Sequence, residues 1–353
     1  MKIVIIIGSA GLGGLERVSL SLMKWLNAQR GCHATIVALS KTKNNRYNIE
    51  DDTFVELEGS NTVKMLRKYI KHEGPDIVLT MSVPLCLYTV PALLGLGVKH
   101  VISERNDPAH FAGKTITKLL ARTLMRIADG YVFQTSQAQQ FYGGSIAKKS
   151  VIIHNPLLKI PNEILETKYE ERRKEIVTVG RLNKQKNQQL LIEAFASLNK
   201  DISDYTLIIY GEGPERDNLQ KIIDEKELQQ RVFLPGSTND ILCKIKDATM
   251  FVLSSDFEGM PNALMEAMSL GIPCISTDCP CGGPRELIRL EENGILVPVN
   301  DKDALVCAMK KLLENVELRE KIGNNALMIN NTHSSERICS QWLEYFNKIV
   351  VKY

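Results

Sequence analysis

Short β-branched runs alternate with amphipathic segments from one end of the chain to the other. Runs at 2–7, 34–39, 76–81, 98–103, 130–134 and 151–154 predict a first set of strands. In the first intervening segment Leu15, Val18, Leu22 and Trp25 or Leu26 recur at helical spacing. A second set of strands is predicted at 176–180, 207–210, 232–234, 250–253, 274–276 and 295–297. One amphipathic segment between successive strands is what parallel βαβ units require. The pattern therefore predicts an α/β protein with two doubly wound domains. Residues 77–98 carry no charged side chain over 22 positions, but Pro84, Pro91, Gly95 and Gly97 interrupt them. They are expected to form a buried strand and a covered helix rather than a membrane span.

At 353 residues the chain exceeds what one hydrophobic core usually supports. The first domain is expected over 1–158 and the second over 173–333. A proline-bearing, charged segment at 159–172 suits an exposed linker. In open parallel sheets ligands bind off the carboxyl ends of the strands, so two such domains are expected to face a cleft that holds the site.

Composition changes this picture little. The 44% hydrophobic and 24% charged fractions are ordinary for a globular protein, and a net charge of +3 does not mark a nucleic-acid binder. Eight cysteines lack the paired spacing of a zinc site, and Cys279 and Cys281 form the only close pair. Without a disulfide framework a reducing compartment is expected. Met1-Lys2 followed by Ile3–Ile7 runs straight into glycines, which suits a strand and not a signal peptide.

Candidate chemistry is concentrated between Ser254 and Glu266. Two carboxylates there, Glu258 and Glu266, flank Gly259-Met260-Pro261-Asn262, with Pro261 expected at the first helical position and Met260 at the N-cap. Amides from Asn262 onward would then face a ligand. Earlier, Arg181 and Lys186 follow the 176–180 strand and could clamp a diphosphate as a fork donor and a point charge. Gly13, Gly14, Glu16 and Arg17 belong to a glycine-rich turn opening the first helix, but Glu16 breaks the dinucleotide fingerprint at its third glycine. The turns at Gly211 and Gly213, at Gly236 and at Cys281 to Glu286 could line a nucleotide pocket or merely redirect the chain. Asp301 is expected to cap a helix rather than bind metal. Two basic stripes, Lys64, Arg67, Lys68 and Lys71, then Lys114, Lys118, Arg122 and Arg126, suit an anionic membrane surface or a solvated face. Ile116, Leu119, Leu120 and Leu124 accompany the second.

Taken in order, Gly13 to Arg17, His154-Asn155-Pro156, Gly180-Arg181-Leu182 with Lys186, Gly211 to Pro214, and Glu258 with Glu266 resemble the retaining glycosyltransferases of the GT-B fold, family 4. The last pair matches that family's Glu-x7-Glu motif, and the resemblance runs over essentially the whole chain. It implies two Rossmann-like domains, with 334–353 returning to the first through Trp342, Tyr345 and Phe346. It also implies hexosyl transfer with retention from a UDP-sugar co-substrate, with no cofactor and no metal. Arg181 and Lys186 would neutralise the departing diphosphate, Glu258 would contact the donor sugar and Glu266 the ribose. Gly259, Met260, Pro261, Asn262, Gly211 and Gly213 would complete the donor site. Where the family often carries a histidine, this chain has Ser103 to Pro108, so Glu104, Arg105 and Asn106 are assigned to an acceptor or diphosphate loop. That string is similar to members building bacterial surface polysaccharide on polyprenyl-diphosphate acceptors in the cytoplasm, at the inner face of the cytoplasmic membrane. A sugar-nucleotide epimerase, a phosphorylase and a non-catalytic nucleotide-sugar-binding protein are the alternatives.

Overall fold

The computed structural model describes residues 1–11, 13–41, 53–110, 115–157, 172–198 and 204–351. The chain forms two compact units, 1–158 with 333–353, and 159–332. Lys114 and, apart from Arg172, the expected linker lie outside the described residues.

The first unit runs β1 (Lys2–Ile7), α1 (Gly14–Asn27), β2 (His33–Ala38), β3 (Phe54–Glu56), α2 (Thr62–Glu73), β4 (Ile77–Thr80), α3 (Cys86–Leu93), β5 (Lys99–Glu104), α4 (Thr115–Leu124), β6 (Gly130–Phe133), α5 (Ser136–Tyr142), α6 (Gly144–Lys148) and β7 (Ser150–Ile152). Its strands form one parallel sheet in the order β3-β2-β1-β4-β5-β6-β7. Both faces of β1 are covered, which is why it is a continuous apolar run. Ile3, Ile5 and Ile7 join a core with α1 and the C-terminal helix, while Val4 and Ile6 join another with α2 and α3.

Residues 77–98 form β4, a short turn and α3, with Pro91 inside the helix. Among the described residues no helix is long and apolar enough to cross a membrane. The terminal helix, Ser335–Val351, packs back on this unit as expected, with Trp342 and Phe346 fully buried. The Tyr345 hydroxyl accepts from the Tyr131 amide at 2.9 Å and donates to the Lys149 carbonyl at 2.7 Å, pinning the helix to the sheet.

The second unit runs β8 (Arg173–Val179), α7 (Gln188–Ala196), β9 (Thr206–Tyr210), α8 (Arg216–Glu225), β10 (Val232–Gly236), α9 (Ile241–Ile245), β11 (Ala248–Leu253), α10 (Asn262–Ser269), β12 (Cys274–Thr277), α11 (Gly283–Leu287), β13 (Ile295–Val297), α12 (Lys302–Glu314), α13 (Val316–Ala326) and α14 (Ile329–Thr332). Its parallel sheet has the order β10-β9-β8-β11-β12-β13. The chain winds outward from β8 to one edge and then returns to β11 to build the other half. The reversal leaves a crevice at the carboxyl ends of β8 and β11, where such sheets take ligands. Strand β8 starts earlier than its apolar run suggests. Its charged start pairs at the amino end of the sheet, the Arg173 amide donating to Asp247, and Arg172 bonds to the carbonyls of Lys246, Ala248, Leu270 and Gly271.

Candidate functional site

At the crevice of the second unit, the loop after β8 (180–187) meets the loop after β11 (254–261). Four hydrogen bonds stitch them together, and a fifth ties Asn187 to Asn300. Ser254 Oγ donates to the Lys186 carbonyl at 3.0 Å, the Asp256 amide to the Gln185 carbonyl at 2.8 Å, and Gln185 Nε2 to the Phe257 carbonyl at 2.9 Å. Asn187, held at φ 44°, donates at 2.7 Å both to Asp256 and to Asn300, which precedes α12. A left-handed backbone is one that asparagine tolerates better than most residues.

The stitching brings Lys186 and Glu258 together, 72 residues apart in sequence. Lys186 Nζ lies 2.5 Å from Glu258 Oε1, and Ser255 Oγ donates to the same oxygen at 2.7 Å. Both side chains are largely withdrawn from water, so each charge would be costly without the other. Arg181 differs: its side chain is exposed and makes no hydrogen bond or ion pair among the described residues. The crevice therefore presents a compensated cation and an uncompensated one on a single loop.

The helix after this loop begins one residue later than expected. Pro261 is the N-cap of α10 at φ −78°, its carbonyl accepting from the Met265 amide, and Asn262 is the first helical residue. Met260 therefore lies before the cap. Proline's fixed φ suits this flanking position as well as the first turn, so the residue alone did not set the boundary. Glu266 is one turn in and only 7% exposed.

Close backbone approach explains several glycines. A Cβ on Gly283 would fall 1.6 Å from the Gly259 carbonyl oxygen, so the start of α11 sits directly against the Glu258 loop. On Gly211 (φ 144°) it would fall 1.9 Å from the Gly180 carbonyl, and on Gly213 2.2 Å from that of Leu182. Gly211 and Gly213 thus brace the arginine-bearing loop through its backbone. Asp301 caps α12, accepting from the Ala304 amide at 2.9 Å, as expected. All eight cysteines are free thiols, and burial pushes that of Cys279, beside Ser255, up to about 12. Among the described residues no group of three or more His, Cys, Asp or Glu side chains is disposed to hold a metal.

In the first unit, Gly13 is the N-cap of α1 and Gly14 its first residue; the Glu16 carboxylate folds back to where a Cβ on Gly13 would be, and the Arg17 amide donates to Gly13. Glu104 ends β5 and Arg105 and Asn106 follow it, but Glu104 and Arg105 face inward. Glu104 is 2% exposed, with Oε1 accepting from the amides of Arg105 and Asn106 and Oε2 from the Tyr142 hydroxyl. Arg105 stacks over Trp342 at 5.0 Å and donates to the Ile153 carbonyl.

Burial pushes Glu104 up to about 7, against a lowering effect of the two amides. The folded chain then keeps a proton that the unfolded chain releases, so this group's contribution to stability falls as pH rises from about 4.5 to about 7. Glu104→Gln should remove that slope. The difference between wild-type and variant unfolding free energies should change by on the order of 1–3 kcal/mol between the ends of the window, and parallel curves would show that Glu104 is ionised in both states.

Sequence reasoning singled out Arg181, Lys186 and Glu258, but not Ser255, Asp256, Asn187, Asn300 or Gly283 as parts of one assembly. Their signal was positional: each lies just after a predicted strand of the second unit.

Comparisons with known proteins agree with this fold. Residues 160–327 match the family described as Glycosyl transferases group 1. An uncharacterized glycosyltransferase of Haemophilus influenzae is 26% identical over 95% of this chain and 96% of its own. A Campylobacter jejuni protein named GalNAc-alpha-(1->4)-GalNAc-alpha-(1->3)-diNAcBac-PP-undecaprenol alpha-1,4-N-acetyl-D-galactosaminyltransferase is 24% identical over 99% of both. The crystal structure of Anabaena HepE in complex with UDP-glucose aligns with a TM-score of 0.83 over 99% of this chain and 100% of HepE, at 18% identity. With two parallel Rossmann-like sheets the chain has the GT-B fold, and the unit that holds the Lys186–Glu258 pair is similar over residues 160–327 to the group 1 glycosyl transferases.

Proposed function

We propose that the chain is a glycosyltransferase that moves a hexose or N-acetylhexosamine from a UDP-sugar to a lipid-linked glycan, with retention of anomeric configuration, in bacterial surface polysaccharide synthesis. The observation that carries the reading is the Lys186–Glu258 pair beside the uncompensated Arg181 at the sheet reversal. When the bond from the anomeric carbon to the β-phosphate breaks, the departing UDP gains negative charge. Fixed cations at that point lower the barrier. Arg181 and Lys186 supply them, so the scheme uses no metal and no other cofactor.

Glu258 holds Lys186 in place before the donor arrives, then turns to a hydroxyl of the donor sugar as the diphosphate draws the lysine away. Glu266 takes the ribose hydroxyls, and the Gly259 to Asn262 segment borders the sugar. The acceptor hydroxyl bonds to the anomeric carbon and its proton is released with UDP. The UDP-glucose held by HepE supports a UDP-sugar donor, and the undecaprenol in the name of the Campylobacter relative supports a lipid-linked acceptor.

Acceptor-dependent UDP release tests the assignment as a transferase. Release should need a glycan acceptor, persist in EDTA and give a product whose anomeric proton coupling matches that of the donor sugar. Turnover requiring inorganic phosphate instead would make the chain a phosphorylase, inversion would remove the retaining mechanism, and loss in EDTA restored by metal would remove the metal-free scheme.

A further inference from the structure

Helix α4 turns its large aliphatic side chains away from the core. Ile116, Leu119, Leu120 and, just beyond it, Ile127 are 80%, 67%, 49% and 62% exposed, whereas the buried contacts come from Ala121 and Met125. Their spacing of three, one and seven residues puts them on one ridge. A helix on a soluble surface normally buries its apolar stripe.

The surroundings of the ridge have a single sign of charge. No carboxylate occurs in sequence between Asp107 and Asp129, while Lys118, Arg122 and Arg126 do. Arg126 is exposed, and Arg122 is drawn aside, donating to the Pro108 carbonyl at 2.7 Å and lying 4.9 Å over the half-exposed Phe141 ring. Helix α3 packs between α4 and α2 and adds exposed Tyr88 and Leu94. On α2, Lys64, Lys68 and Lys71 are exposed, and its one carboxylate, Glu73, is paired with Lys2 at 2.7 Å.

An aliphatic ridge bordered by an aromatic residue and by cations, with the nearby carboxylate neutralised, matches the interface of an anionic bilayer. A second copy of the chain would bring like charges together, and lysine is depleted in protein interfaces. We infer that the α2-α3-α4 layer docks on anionic lipid, with the α4 ridge inserted among the acyl chains and the lysines of α2 at the headgroups. This deepens the reading of the acceptor as lipid-linked and rests on it. It also changes what the basic stripes alone imply. A purely electrostatic contact is lost in salt, whereas insertion leaves a salt-resistant part.

Co-sedimentation with vesicles of phosphatidylcholine and phosphatidylglycerol tests it, using the full chain and the variant Ile116→Ser/Leu119→Ser/Leu120→Ser. These positions are exposed, so thermal unfolding should be unchanged. Wild type should bind, keep a measurable fraction bound at about 0.5 M salt, and prefer these vesicles to pure phosphatidylcholine; the triple variant should bind about tenfold more weakly. Lys64→Glu/Lys68→Glu/Lys71→Glu should lose the preference for the anionic lipid. Equal binding by wild type and triple variant, complete elution of wild type by salt, or a wild-type dimer that the triple variant splits would each overturn the inference. UDP protection against thermal unfolding, measured on the same samples, keeps the two readings apart. Protection without vesicle binding removes only the docking surface, and no protection removes the donor site.

Discussion

Lys186→Ala should lower turnover about a hundredfold with the fold intact, because one preorganised cation facing the departing diphosphate is then missing. The residue is largely withdrawn from water but lies on a loop, with its amine on Glu258, so its removal opens space toward the crevice rather than within a core. The loss should fall on kcat more than on KM, since the charge it meets is greatest in the transition state. Glu258→Gln should cost at least tenfold, leaving Lys186 without its countercharge and the sugar hydroxyl with only a neutral amide oxygen in place of a carboxylate. If the two act as a unit, the double variant loses less than the sum of the single losses. Wild-type rates in both single variants would take the chemistry away from this pair.

Gly283→Ala should damage the site without touching a charged group. Its Cβ would sit 1.6 Å from the Gly259 carbonyl oxygen, a backbone atom that cannot rotate away as a side chain could. Either α11 or the Glu258 loop must shift, and a displacement of about 1 Å at a reacting centre can cost on the order of a hundredfold in rate. UDP should protect the variant against unfolding less than it protects wild type. An alanine variant with unchanged protection and turnover would show that these loops move freely past each other.

The layout of strands was legible because the central strands are buried on both faces and therefore continuous in their apolar character. Strand β3 was not, since Phe54–Glu56 is three residues at a sheet edge and carries no such run. Glu258, Glu266, Arg181 and Lys186 could be picked out from local spacing, but the ion pair between Lys186 and Glu258 could not. It depends on β8 lying beside β11, a neighbourhood set by the winding of the whole unit. Periodicity placed Ile116, Leu119 and Leu120 on one face of α4 without saying which way that face points; the buried contacts of Ala121 and Met125 decide it. The polar string at Glu104 and Arg105 suggested a ligand loop, yet Glu104 is enclosed by amides of its own loop and the Tyr142 hydroxyl. Hydrogen bonds that let a carboxylate be buried leave little trace in hydropathy.

The central claim is that cations at the sheet reversal of the second unit receive the diphosphate of a sugar nucleotide. A crystal structure of the chain with UDP tests it most directly. The account predicts phosphate oxygens within hydrogen-bonding distance of Arg181 and Lys186, with the ribose hydroxyls on Glu266. UDP bound elsewhere, with the Lys186–Glu258 pair undisturbed and Arg181 still in solvent, would contradict it.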